Sequence, residues 1–142
     1  MSRSEHLLLS RHFLEAIVQH ARTEFPNECC GVLAGVRAGD ELQVRACYPL
    51  INEAASPVEY RSDPQSMFAA VKDMRSHGWD IVAVYHSHPT SAPIPSRTDL
   101  ERLYSEEVAH FIIGLAGPEA IVRGWWLTPS GYEEAVWRII EA

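Results

Sequence analysis

Cysteine is scarce in this chain of 142 residues, which has only Cys29, Cys30 and Cys47. An odd count with an adjacent pair does not make a disulfide framework. Neighbouring cysteines bridge only with strain, because a disulfide wants a larger Cα separation than adjacent residues readily give. There is no second CxxC-like pair to complete a cysteine zinc site. Cys29 and Cys30 lead into the apolar run GVLAG and read as small buried residues of a strand. Basic residues are also few: 12 Lys and Arg face 19 Asp and Glu, for a net charge of −7, and no Lys/Arg cluster occurs. Phosphate binding needs a basic face, so a nucleic-acid partner is not expected. No run approaches the ~18 apolar residues of a membrane span. The apolar stretch in MSRSEHLLLSRHF is too short for a signal peptide. Low-complexity runs and solenoid-period repeats are missing as well. Together these absences predict a cytoplasmic protein with neither a nucleic-acid nor a membrane partner.

What is present suits one globular domain over residues 1–142. Apolar residues make up 46% and charged residues 22%, an ordinary soluble balance, and the length allows a real core. Phe13, Leu14, Ile17, Val18 and Ala21 have helical spacing, with Ser10 as N-cap and Pro26 as the stop. Cys29 to Val36 and Leu42 to Leu50 read as a hairpin around Gly39-Asp40. Ser56 to Ser62 reads as a short extended piece. Asp63-Pro64 opens a second helix, which ends at Gly78. Ile81 to Tyr85 is a continuous apolar run that suits a central strand buried on both faces. A Pro- and Ser-rich loop follows, then a short helix over Arg97 to Tyr104. Phe111 to Leu115 predicts a further buried strand, and Ile121 to Leu127 with Tyr132 to Ile140 a closing hairpin. The predicted class is α/β, a mixed central sheet flanked by helices.

Chemistry gathers at the end of the central strand, where sites in such sheets tend to lie. His86 and His88 are two residues apart, so they project from one face and can share a metal ion. His-x-His alone is weak, since such pairs occur by chance. Ser96 and Asp99 alone are a helix-capping pattern. A cap, however, also puts Ser96 at the helix mouth with Asp99 one turn inward. If the proline-rich loop folds back, Asp99 becomes a third ligand, and two His with one carboxylate leave a tetrahedral position open for water. Glu28, in PNECCG, reads alone as a solvated carboxylate at a strand edge. A hydrolytic metal site also needs a base that is not a ligand, and Glu28 is a candidate.

The string His86-Ser87-His88-Pro89, then Ser96, then Asp99 resembles the H-x-H-x7-S-x2-D signature of the JAMM (MPN-plus) zinc metalloproteases, with Glu28 in the place of that family's glutamate. The resemblance runs from the first helix to the last hairpin. It implies the JAMM/MPN fold, similar to cytidine deaminases, with Zn2+ held by His86, His88 and Asp99. Glu28 is then the general base and Ser96 the donor to the oxyanion. PNECCGVLAG, SPVEYRSD and PSRTDL further resemble the short bacterial members of the CysO-cysteine peptidase type. These act on ubiquitin-like sulfur-carrier proteins. The chain has no room for the long insertions of eukaryotic deubiquitinating members.

The expected activity is therefore hydrolysis after the C-terminal Gly-Gly of such a carrier, releasing cysteine or a short extension. An isopeptidase acting on protein conjugates and a non-catalytic MPN scaffold are the alternatives, and scaffolds of this fold usually lack the ligands. A zinc nucleoside deaminase would need H-x-E with a distant P-C-x-x-C, which is missing. The stretch Ser56 to Asp63 is a candidate edge for the substrate tail to pair with, and glycines in that tail would allow close approach. Ser87 points to the other strand face and has no assigned role. His6, His12, His20, His77 and His110 are expected in surface or packing roles. Trp79 and Trp137 are expected in the core or at a contact surface. Trp125-Trp126 should expose one ring if the strand alternates, as a protein-binding patch or homodimer contact.

Overall fold

The computed structural model describes residues 3–141. Eleven elements build it: β1 (His6–Ser10), α1 (Arg11–Glu24), β2 (Cys30–Ala38), β3 (Glu41–Leu50), α2 (Pro64–Ser76), β4 (Asp80–His88), α3 (Arg97–Glu101), β5 (Ala109–Gly114), β6 (Ile121–Thr128), β7 (Gly131–Glu134) and β8 (Val136–Ile140). The strands form one mixed sheet in the order β7-β6-β5-β4-β2-β3-β1-β8. β2 pairs antiparallel with β3 and β4, while β4 and β5 run parallel. Gly39 supplies the positive φ of the β2–β3 turn, as the sequence led us to expect.

Helices cover both faces. α1 packs Ile17 and Ala21 against Leu33, Tyr85, Phe111 and neighbours. α2 packs Ala70 and Met74 against Cys30, Val32 and Val84 on the other face. Asp63 caps α2 by accepting from the Ser66 N–H at 2.9 Å, with Pro64 in the first turn. Ser10 is extended as an N-cap should be, but its hydroxyl makes no capping bond. β4 is central, and Tyr85 lies on the α1 face while Val84 lies on the α2 face. Strand alternation therefore sends His86 and His88 to the α2 face and Ser87 to the α1 face.

Several expectations need correction. His6–Ser10 is a strand, parallel to both β3 and β8. The closing hairpin is not one long pair. Its second arm breaks at Ala135, whose N–H donates to the Gly124 carbonyl at 2.7 Å. β7 pairs with β6, but β8 crosses to β1 at the opposite edge. The sheet curls to allow this, so that Phe111 and Trp137 meet edge to face at 5.4 Å. A Cβ at Gly124 would lie 3.2 Å from both rings. The short helix stops at Glu101 rather than Tyr104. Ser56–Ser62 is no strand, and only an isolated bridge between Asn52 and Ser62 is found there. Finally, Trp125 and Trp126 are both 5% exposed. Trp125 packs with Ile112, Leu127, Leu100 and Leu103, and Trp126 joins the core under α1, so both faces of β6 are covered.

Candidate active site

The two histidines stand at the end of β4, whose last seven residues are all buried. His86 is in register with Cys30 of β2 and Ile112 of β5, and both imidazoles are buried. The His88 Nδ1–H donates to the Ala92 carbonyl at 2.8 Å. That bond fixes the tautomer and leaves the Nε2 lone pair facing inward. Beyond β4, Pro89, Pro93 and Pro95 keep the loop irregular. The chain returns to open α3 with a full capping box. Asp99 N–H donates to Ser96 Oγ at 3.1 Å, and Ser96 N–H donates to Asp99 Oδ2 at 2.9 Å. The cap and the candidate ligand are thus the same carboxylate, and the cap is what aims it.

Asp99 Oδ1 lies 3.1 Å from His86 Nε2, and Oδ2 lies 3.1 Å from His88 Nε2. The two Nε2 atoms are 3.2 Å apart. Donors around a tetrahedral zinc, at bond lengths of about 2.0–2.1 Å, are separated by roughly 3.3 Å. The separation of the two Nε2 atoms matches that spacing, and the carboxylate spans the pair with one oxygen near each imidazole, so that one ligand atom from each residue lies within 4.8 Å of the other two. A neutral His88 spends its one N–H on Ala92, so its Nε2 lone pair is directed at the same point as its neighbours. His86, His88 and Asp99 form a cluster that could hold a metal ion. Burial opposes ionisation of Asp99, but with no metal between them hydrogen bonds from His86 and from the protonated form of His88 outweigh it and hold the carboxyl well below the usual range.

Glu28 is not the solvated carboxylate its sequence context alone suggested. It is 4% exposed, and alternation from Cys30 places it on the face of the two histidines. Its backbone is pinned: the N–H donates to the Ser56 carbonyl at 2.8 Å, and its own carbonyl accepts from Asn52 Nδ2 at 3.0 Å. Its Oε1 is buried without a hydrogen-bond partner among the described residues. Burial pushes the carboxyl up to about 8; the charge of His88 opposes this, while Asp99 and Glu59 add to it. A buried carboxyl with a raised pKa beside a candidate metal site is a candidate for proton transfer.

The sequence reading gave no role to Tyr60, whose ring stacks on His86 at 4.8 Å and 26°. An aromatic more than twenty residues upstream carries no spacing signal. Glu59 and Arg102 pair at 3.5 Å between this loop and the end of α3. Ser87 is fully buried on the other face, where its Oγ accepts from the Cys29 N–H at 2.8 Å. All three cysteines are free.

Residues 10–128 match the family Prok-JAB, described as prokaryotic homologs of the JAB domain. The chain is 42% identical over 104 residues to a desampylase of Haloferax volcanii, covering 70% of this chain and 73% of that one. It is 35% identical over 107 residues to the CysO-cysteine peptidase of Mycobacterium tuberculosis, covering 75% of this chain and 71% of the relative. The solution structure of a protein from Desulfitobacterium hafniense superposes with a TM-score of 0.87 at 34% identity, over 96% of this chain and 94% of that one. Family match, identities and shared fold agree: the chain belongs to the prokaryotic JAB-domain family and is a JAMM-type hydrolase of its short form.

Proposed function

We propose that this protein is a zinc metallopeptidase that cleaves after the C-terminal Gly-Gly of a ubiquitin-like sulfur-carrier protein, releasing cysteine or a short extension. The observation that carries the reading is the convergence of His86 Nε2, His88 Nε2 and an Asp99 oxygen beside the buried, unpartnered Glu28 carboxyl. Similarity to a CysO-cysteine peptidase supports the choice of substrate. Two imidazoles and one carboxylate suit zinc and leave a fourth position open. Held by His86, His88 and Asp99, zinc would supply Lewis acidity to acidify water and polarise the scissile carbonyl, and as a nearby cation it would favour the ionised Glu28 carboxylate.

The protein's own residues do the rest. Glu28 takes a proton from the attacking water and hands it to the leaving amine nitrogen, help typically worth about 10²–10⁴-fold in rate. Ser96 Oγ already accepts from the Asp99 N–H, so its hydroxyl proton is free to donate to the carbonyl oxygen as that oxygen gains charge. Asp99 orients both imidazoles, and the Tyr60 ring shields His86 from water. The cytoplasm is the proposed setting; three free thiols are in keeping with a reducing compartment.

A mass-spectrometric cleavage assay tests the substrate, using carriers with Gly-Gly, Gly-Ala and Ala-Ala tails bearing different C-terminal extensions. Loss of the extension from Gly-Gly tails alone is the expected result, because glycine permits close approach of the backbone. Equal rates on all three tails would remove the sulfur-carrier assignment while leaving the hydrolase standing. Cleavage only of isopeptide-linked conjugates would move the substrate to that class.

A further inference from the structure

We infer that Trp125, working with Gly114, is a positioning residue that sets the metal affinity of the site by fixing the loop between His88 and Asp99. This rests on the metal site proposed above. Trp125 lies on β6, two strands away from β4, and is buried. Its Nε1–H donates to the Pro93 carbonyl at 3.0 Å. One residue earlier, the Ala92 carbonyl takes the His88 Nδ1–H at 2.8 Å and the Ile94 N–H at 2.8 Å. Pro93 and Pro95 have no N–H, so this stretch can be tied down at those residues only through carbonyls. The indole holds one carbonyl, and the neighbouring carbonyl sets the His88 tautomer and ring plane.

The other side of the loop rests on β5. Gly114 is the register partner of His88, and a Cβ there would lie 2.7 Å from Pro93 Cδ. Leu115 N–H donates to the His88 carbonyl at 3.1 Å. Pro93 is therefore wedged between a glycine floor and an indole clamp. The indole is itself held in place, with Tyr132 edge-on at 5.2 Å and the Arg123 guanidinium at 4.6 Å. Leu100 and Leu103, which flank the end of α3, pack into the same cluster as Trp125. One side chain thus supports both the loop behind His88 and the helix that carries Asp99. Partners that orient metal ligands in this way typically alter metal affinity by 10–100-fold when changed.

The test is competition for zinc between the zinc-loaded protein and a chromophoric chelator, for wild type, Trp125→Phe, Gly114→Ala and Trp126→Phe. Trp125→Phe keeps an aromatic ring but removes the N–H, and Gly114→Ala displaces Pro93 while leaving the indole intact. Each should bind zinc roughly 10–100-fold more weakly, with an unchanged circular dichroism spectrum. Trp126→Phe, buried in the core under α1, should match wild type. Wild-type affinity in the folded Trp125 and Gly114 variants overturns the inference, as does an equal loss in Trp126→Phe. If Trp125→Phe does not fold, Gly114→Ala decides by the same criterion. Failure of the wild type itself to bind zinc overturns the metal-site reading beneath it, and so the two failures are distinguishable.

Discussion

Replacing Glu28 by Gln separates a proton carrier from a metal ligand and from a packing residue. The amide fills nearly the same volume, so the core beside Cys29 and Cys30 stays filled, but it cannot accept the proton from water. Turnover should fall by about 10²–10⁴-fold, the usual worth of general acid–base help, while zinc is retained at the wild-type stoichiometry. A second consequence follows from burial. With its Oε1 unpartnered, the Glu28 carboxyl is pushed up to about 8 from an ordinary 4.5. In zinc-stripped protein the folded state therefore holds a proton that the unfolded chain has released across that interval. Stability from this group is fully present below pH 4.5 and is lost as pH rises toward 8. By pH 7 the cost amounts to about 3 kcal/mol at 1.36 kcal/mol per pH unit. Glu28→Gln should remove that slope, leaving an inactive protein that resists urea better at pH 7 than at pH 5 relative to wild type. The assays are single-turnover cleavage, metal analysis, and urea unfolding in the presence of chelator at both pH values. Normal turnover in Glu28→Gln would refute the base assignment. Loss of zinc would make Glu28 a ligand, and an unchanged pH slope would mean the carboxyl is not desolvated as its burial implies.

His88→Ala should strip the metal, since purified wild-type protein is expected to carry close to one zinc per chain by elemental analysis. Ser96→Ala should cost about 3–4 kcal/mol in the chemical step if its hydroxyl faces the developing oxyanion; because Ser96 also caps α3, thermal unfolding should show a further loss of about 0.5–2 kcal/mol. Cys29 and Cys30, both buried, with thiols pushed up to about 12 by burial, should resist iodoacetamide at pH 8 until the protein is unfolded; rapid native labelling counted by mass spectrometry would contradict their burial.

The parts of this molecule legible in its sequence are those written in local chemistry. Proline at 64 after Asp63, glycine at 39 and 78, and the 3.6-residue stripe of α1 each act over a few residues, and each lies where its local rule puts it. The proposed ligands are legible for a similar reason. Two histidines at a strand end share a face by geometry alone, and Ser96 with Asp99 closes a capping box whatever surrounds it. What escaped the sequence depends on contacts between distant segments. HLLLS is too short to choose between strand and coil until β3 and β8 lie on either side of it. The break at Ala135 is set by a sheet that curls, which no property of Tyr132 to Ile140 announces. Trp125 and Trp126 alternate as a strand should, yet neither is exposed, because Leu100 and Leu103 pack on one face while Arg3 and the large core cluster cover the other.

The same division explains why the site can be both strict and adjustable. Its donors sit on β4 and on the first turn of α3, elements whose local sequence dictates their form. The separation between those donors, however, is set by a loop with little regular structure of its own. Three prolines deny that loop most of the hydrogen bonds a chain would use to hold itself, and so its shape is imposed from outside. His88, Gly114 and Trp125 impose it, from three different strands. Ligand identity is thus encoded locally and ligand geometry is encoded by the sheet. A change at β5 or β6 can therefore retune the site without altering a residue of its signature. On the inference above, an intact signature reports which chemistry is possible, and the strands behind it would decide how tightly a metal is held.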